Sequence, residues 1–505
     1  MGTSDQSFRL STQDASFLYG EAANGPLNIA MLGLFRGRIE FKSLLAHMDE
    51  RMHLLPRYRQ RVVFAPFNLN HPSLQDDPDF DLAHHLFRHK LPRGSTAALM
   101  KAVMQVYEQP LDRGKPLWEL HLFNGLAGGR SAILAKIHHC LGNGISGMEM
   151  LAVMTSSRPE APAPTPPDEP WKPAPQPGRA KLLASALSDL ARSRSGLARR
   201  AVDALTHFRD LDTNVSAPAA ALQTTRRIAR PIVAAPWNAA TVTNARTMAW
   251  LRCSLGDVAR IRATLGGTVN DVMLAMLSEG AARYLAHHGC PTKRRPLRIG
   301  CPVNVRAQDE YGKPGNRISM MFPEFDAEPM AAVDRLKAVT RETSRIKAAR
   351  EAIAFRNLLA TLDYIPPRML AQVSRLVTSA IEGAGWLTGR APRIARRAQI
   401  LGVGINFVAT NVPGSPVPIY LAGHQMLEAA GMIPLTATLG YGVAIVSYNR
   451  DLYLGLMAEP NLMPDVGFMK SRIKETFREL IAAVPEAVVP ASPPQPAPPA
   501  TREVA

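Results

Sequence analysis

Cysteine is scarce in this chain. Four thiols occur in 505 residues, Cys140, Cys253, Cys290 and Cys301, with no CxxC pair. That excludes a disulfide framework and fits a reducing compartment. Aromatic residues make up only 6%. There is no Walker A sequence and no GxSxG elbow, and Gly402-Val-Gly404 lacks the third glycine of a dinucleotide fingerprint. Nothing reads as a lipid-spanning helix, because the uncharged stretch 429–449 holds Pro, Gly and Thr that suit buried strands and turns. The opening MGTSDQSFRL has no apolar core, so no signal peptide is expected, and Gln6 stands where a myristoylation motif has Ser or Thr. An apolar fraction of 46% with 20% charged residues excludes a wholly disordered chain and a polytopic membrane protein.

Two things are in excess, proline and positive charge. Of 42 prolines, nine fall between Pro159 and Pro177 and seven between Pro485 and Pro499. They mark an internal linker and a tail, both expected to be extended or mobile. The formal charge is +17 with a pI near 10.0. Residues 1–157 carry 16 Lys/Arg against 14 Asp/Glu, residues 158–235 carry 12 against 7, and residues 236–482 carry 30 against 19. The basic excess therefore lies outside the first segment and suits a phosphate ligand, acidic lipid or nucleic acid. The densest basic stretch, 341–397, has only three aromatics (Phe355, Tyr364 and Trp386) and no nucleic-acid-reading module. A nucleic-acid partner is therefore not expected.

Hydrophobic periodicity predicts a strand over Ile29–Phe35, helices over 41–52 and 95–109, a buried strand over Ser131–His139, and a helix over 145–155. Residues 179–209 form an amphipathic basic pattern, with Leu183, Leu187, Leu190, Leu197, Ala201, Leu205 and Phe208 at helical spacing. It suits a crossover helix packed on the domains, or a helix lying on an anionic lipid surface. The second half alternates again: a helix over Asn270–His287, a strand over Leu297–Val305, basic helical segments over 331–398, strands within 399–457 and a last helix over 465–483. The fold class is α/β (α+β), two halves each with a mixed sheet and helices, joined by a crossover. The segments are 1–157, a Pro-rich linker 158–178, a helical crossover 179–235, a second domain 236–483 and a tail 484–505.

The stretch that carries chemistry is Ile137-His138-His139-Cys140-Leu141-Gly142-Asn143-Gly144. Adjacent strand residues face opposite ways, so His138 and His139 cannot both line one cavity. One is packed and hydrogen-bonded; the other points toward the loop, where a neutral imidazole can serve as a general base. By itself such a pair also suits two structural histidines. Cys140 diverges from His139, which argues against a nucleophilic Cys-His pair. His84-His85, His89 and His287-His288 lack an HExxH or Cys/His cluster, so no metal is expected.

His138-His139-x-x-x-Asn143-Gly144 resembles the HHxxxDG signature of acyl-CoA-dependent acyltransferases. Its surroundings resemble the bacterial wax ester synthase/acyl-CoA:diacylglycerol acyltransferase family. Leu10-Ser-Thr-Gln-Asp-Ala-Ser-Phe17, Pro110-Leu-Asp-Arg-Gly-Lys-Pro-Leu-Trp-Glu119 and Thr268-Val-Asn-Asp271 are similar to that family's motifs. So are Cys301-Pro-Val-Asn-Val-Arg306, Gly315-Asn-Arg-Ile-Ser319 and Asn411-Val-Pro-Gly414, in the family's order.

The resemblance implies two chloramphenicol-acetyltransferase-like domains around a tunnel, with acyl-CoA and an alcohol entering from opposite sides. It implies His139 as the base, with His138, Asn143 and Gly144 shaping its loop and Asn270 and Asp271 as tunnel or support residues. No metal or redox cofactor is implied; acyl-CoA is a substrate. The expected reaction is transfer of a long-chain acyl group to diacylglycerol, a fatty alcohol or both, without an acyl-enzyme. The expected setting is cytoplasmic, peripheral to a membrane or lipid inclusion. Asn143 replaces the family's aspartate, keeping size and an acceptor oxygen but losing the charge. That substitution keeps a weakened or non-catalytic lipid-binding paralogue in view. A condensation-type acyltransferase using a carrier protein is a further alternative.

Overall fold

The computed structural model describes residues 8–21, 25–92, 94–142, 150–178, 180, 182–188, 230–239, 243–304, 318–349, 351–353, 355, 366–375, 404–436 and 439–485. In the first half the order is β1 (Phe8–Arg9), α1 (Thr12–Gly20), β2 (Asn28–Phe35), α2 (Phe41–Asp49), β3 (Gln60–Val63), β4 (Ser73–Asp76), β5 (Leu86–Lys90), α3 (Thr96–Tyr107), β6 (Trp118–Asn124) and β7 (Ser131–His138). The second half begins with β8 (Thr247–Ser254), α4 (Leu255–Leu265), α5 (Val269–His287), β9 (Pro296–Asn304), β10 (Ile318–Met321), β11 (Glu324–Asp326) and α6 (Ala332–Ala348). It ends with β12 (Phe407–Val412), β13 (Tyr420–Leu421), β14 (His424–Met432), β15 (Tyr441–Tyr448), β16 (Asp451–Ala458) and α7 (Val466–Ala482).

Side-chain caps set several of these starts. The Ser11 hydroxyl accepts from the Asp14 N–H at 3.0 Å to open α1, and Ser95 does the same for Ala98 at α3. Helix α2 stops at Asp49, earlier than the pattern through Met52 suggested, and a 3-10 turn follows at Met52–Leu54. Asp49 and Glu50 place negative charge at the helix C-terminus, which the macrodipole disfavours.

Two large sheets organise the chain. One has six strands in the order β13-β14-β2-β7-β6-β5; the other follows β10-β9-β12-β15-β16-β8, with β11 also on β9. The sheets do not follow the division of the sequence. β13 and β14 come from the second half yet belong to the first sheet, β14 running antiparallel to β2 with Ala430 opposite Leu32 and Met432 opposite Ala30. One buried cluster accordingly mixes Phe35, Trp118 and Ile137 with Met426, Val446 and Tyr453.

The Pro-rich linker is extended, but it is also anchored. Residues 161–178 have no helix or strand, yet the Arg59 guanidinium lies 4.4 Å from the Trp171 ring centroid, and Phe80 meets that ring edge-on. Asp76 accepts from the Ala174 N–H at 3.0 Å, and Arg61 donates to Gln176 at 2.9 Å. Trp171 and these hydrogen bonds thus hold a segment that its composition alone marks as loose. Of the 179–209 pattern, residues 180 and 182–188 are described and helical, with Ala186 buried and Leu187 exposed. The rest of that pattern, and tail residues 486–505, lie outside the described residues. Among the described residues, no helix is long and apolar enough to cross a membrane.

Candidate active site

Strand alternation builds the site. Ile29, Met31, Gly33 and Phe35 share one face of β2, and Ile133, Ala135 and Ile137 share the matching face of β7. Continuing that two-residue period brings His139 onto the same face. Together these residues line a cavity of about 390 Å³ between the two sheets. Val408, Thr410 and Val412 of β12, with Ala444 and Val446 of β15, close it from the second sheet. Pro302, from the Cys301–Arg306 motif, and Met320 also reach it. The lining is apolar, and His139 is its one titratable side chain among the described residues.

The His139 ring stacks on Phe17 with centroids 3.9 Å apart and planes 16° apart. Its backbone N–H donates to the Leu27 carbonyl at 2.9 Å. Its Nδ1 is buried without a hydrogen-bond partner among the described residues. Burial, the dominant cause, depresses this imidazole to about 4, and neighbouring His138 adds to the effect. The ring is therefore neutral at neutral pH, with a lone pair free to take a proton.

His138 faces the other way. It caps the 3-10 turn His139–Leu141, its Nδ1 accepting from the Cys140 N–H at 3.1 Å. An amide can only donate, so Nδ1 carries the lone pair and Nε2 the proton. That Nε2 lies 3.3 Å from Glu21 Oε1. Arg113, from the Pro110–Glu119 motif, donates to the other Glu21 oxygen at 2.6 Å. Burial pushes the Glu21 carboxyl up, but His138, Arg113 and the Leu27 N–H outweigh it and hold it down at about 2. Cys140 is buried, and burial raises its thiol well above the usual range, so it is no thiolate nucleophile.

The remaining sequence candidates separate from this site. Asn143 and Gly144 lie outside the described residues. Asn270 and Asp271 sit at the start of α5 and do not line the cavity. Asp271 accepts from the Thr268 N–H and hydroxyl, both at 2.8 Å, and from the Thr343 hydroxyl at 2.7 Å. It caps one helix and ties it to α6. In the Asn411–Gly414 motif, Gly414 packs so near the Ser447 carbonyl that a side chain there would collide with it. His85 stacks on Trp118 and bonds its carbonyl, and His89 bonds His121. The sequence reading missed the roles of Phe17, Glu21, Leu27 and Arg113. Phe17 lies within α1 and Glu21 directly follows its last residue with extended backbone, so no helical spacing links the two.

Two mixed sheets sharing strands around an apolar cavity define an acyltransferase fold of the two-domain, condensation type. A wax ester synthase/diacylglycerol acyltransferase from Marinobacter aquaeolei VT8 superposes with a TM-score of 0.61 at 22% identity, covering 94% of this chain and 98% of that one. The starter condensation domain of rhizomide synthetase, in complex with C8-CoA and Leu-SNAC, superposes with a TM-score of 0.55 at 13% identity, covering 94% of each chain. In sequence, a probable diacylglycerol O-acyltransferase of Mycobacterium tuberculosis (strain ATCC 25618 / H37Rv) is 28% identical over 482 residues, 94% of this chain and 96% of that protein. The wax ester synthase/diacylglycerol acyltransferase catalytic domain matches residues 10–273, and the WS/DGAT C-terminal domain residues 314–481. The chain belongs to the wax ester synthase/diacylglycerol acyltransferase family and is an O-acyltransferase.

Proposed function

We propose that this protein transfers a long-chain fatty acyl group from CoA to the hydroxyl of diacylglycerol, a fatty alcohol or both, with His139 as general base. The observation that carries the reading is the apolar cavity in which a neutral, buried imidazole is the one titratable lining group among the described residues. The imidazole takes the acceptor's hydroxyl proton as that oxygen bonds to the thioester carbonyl carbon. The carbon–sulfur bond then breaks, and the imidazolium returns the proton to the CoA thiolate, giving ester and free CoA. Both substrates are held together, so no acyl-enzyme is needed. The reaction balances without a metal or redox cofactor.

A peripheral position at a membrane or lipid inclusion is part of the same proposal. It is supported by the basic amphipathic pattern of 179–209 and by the exposed Leu187. Asn143 in place of the family's aspartate favours a second reading, a lipid-binding paralogue without turnover. One experiment separates the two. Purified protein receives labelled palmitoyl-CoA with hexadecanol or dioleoylglycerol, beside His139→Ala. Labelled ester from wild type and none from the variant is the expected result. Ester formed equally by the variant would exclude His139 as base, and no ester from wild type would favour the binding protein.

A further inference from the structure

Among the described residues, no carboxylate or other hydrogen-bonding group meets Nδ1 of the candidate base. We infer that Glu21 is a positioning residue, bonding Arg113 and the Leu27 peptide, setting its charge beside His138, and through them orienting His139. The inference rests on the reading of His139 as base.

The chain of contacts is short. Glu21 Oε1 accepts from the Leu27 N–H at 3.0 Å, and the Leu27 carbonyl accepts from the His139 N–H at 2.9 Å. The same oxygen faces His138 Nε2 at 3.3 Å, while His138 Nδ1 accepts from the Cys140 N–H. The His139 amide is thus bonded to a peptide that Glu21 holds, and the Cys140 amide to a ring that the Glu21 charge faces. Arg113 completes the clamp from the far side, also donating to the Leu18 carbonyl at 3.1 Å, so helix α1 is tied to it as well. That helix brings Phe17 onto the His139 ring. Backbone anchoring and ring stacking thus both bear on the His139 side chain.

The charge also has a reason to persist. The Glu21 side chain is only 10% exposed, yet it stays ionised because two cationic or polarised donors and one amide converge on it. Replacing it by Gln keeps an acceptor oxygen for Leu27. It removes the attraction for Arg113 and the negative charge that faces His138 Nε2. The position of the His139 turn then depends on neutral contacts alone.

The test uses the full chain with Glu21→Gln, Glu21→Asp and His139→Ala. Rates of CoA release from palmitoyl-CoA with hexadecanol are read beside thermal unfolding and the 15N shifts of histidine-labelled protein. Glu21→Gln is expected to lower kcat about ten-fold or more with KM for palmitoyl-CoA within about two-fold. Glu21→Asp, which keeps the charge, is expected to recover part of the loss. The His138 ring is expected to keep its Nε2–H form, which the Cys140 amide sets, while its Nε2 resonance moves as the charge facing it is lost in Glu21→Gln.

A wild-type kcat in Glu21→Gln, with His139→Ala inactive, would overturn the clamp and leave the base reading standing. Equal losses in Gln and Asp, matched by equal loss of thermal stability and with the His138 Nε2 resonance unmoved, would reduce Glu21 to a structural ion pair. Full activity in His139→Ala would instead overturn the base reading. The His138 Nε2 resonance in Glu21→Gln then judges the clamp separately.

Discussion

The most direct consequence of burying His139 is a displaced acid limb in the pH profile. An unperturbed histidine titrates near 6.5, whereas this one is held at about 4. At pH 5 a base with the ordinary value is only about 3% neutral, while one near 4 is about 90% neutral, a difference of roughly thirty-fold in active enzyme. Because kcat/KM reports the free enzyme, it is the quantity to measure, at fixed acceptor from pH 4 to 8 with circular dichroism at each point.

The expected result is a plateau down to about pH 5 and a fall centred near 4. A fall centred near 6.5, in protein that is still folded, would refute the argument from burial. The same shift enters stability. The unfolded chain binds a proton at His139 between pH 6.5 and 4 that the folded chain refuses, so stability is lost as pH falls through that window. The loss amounts to about 3 kcal/mol once pH 4 is passed. Glu21, held at about 2, adds a loss of the same sign at lower pH, between its ordinary range and 2.

Other perturbations read other parts of the molecule. A Cβ at Gly431 would lie 2.9 Å from the Ala444 Cβ and 3.0 Å from a Val446 methyl, both on the cavity wall. Gly431→Val is therefore expected to lower turnover of palmitoyl-CoA at least about ten-fold while sparing hexanoyl-CoA; equal loss on both chain lengths would argue against a cavity that measures the acyl chain. Asp271→Ala removes the reciprocal half of the α5 capping box, whose N-cap is Thr268, and the partner of Thr343, and should cost about 2 kcal/mol in denaturant unfolding. Its KM for acyl-CoA should barely change, and a large KM rise would instead put Asp271 in contact with substrate. Asn143→Asp restores the family's charge and is expected to raise kcat; unchanged turnover would show that the missing charge does not limit the reaction.

Much of the site was legible locally. The two-residue period of a strand is a backbone property, so His138 and His139 had to diverge whatever the rest of the chain did. Which of them meets the cavity was not readable, because it depends on which face of β7 the second sheet covers. The Thr268–Asp271 spacing is a helix-start signal, and Asp271 is the capping group it describes. Glu21 and Arg113 lie 92 residues apart, and nothing in either neighbourhood announces their 2.6 Å contact. Trp171 shows the limit of composition. Proline content marks an extended segment, but Trp171 finding Arg59 and Phe80, with the bonds to Asp76 and Arg61, decides that the segment is anchored.

The sequence by itself determined the family through ordered motifs, the mixed α/β class, and the strand-to-turn geometry around the two histidines. These are local or additive properties, set by side-chain type and spacing. Only the tertiary structure decided that β14 leaves its own half to pair with β2, because strand pairing across some 400 residues is chosen by shape and burial, not by any neighbouring residue. From that exchange follow the cavity between the sheets and the desolvation that makes His139 a neutral base. The same packing holds Glu21 behind it.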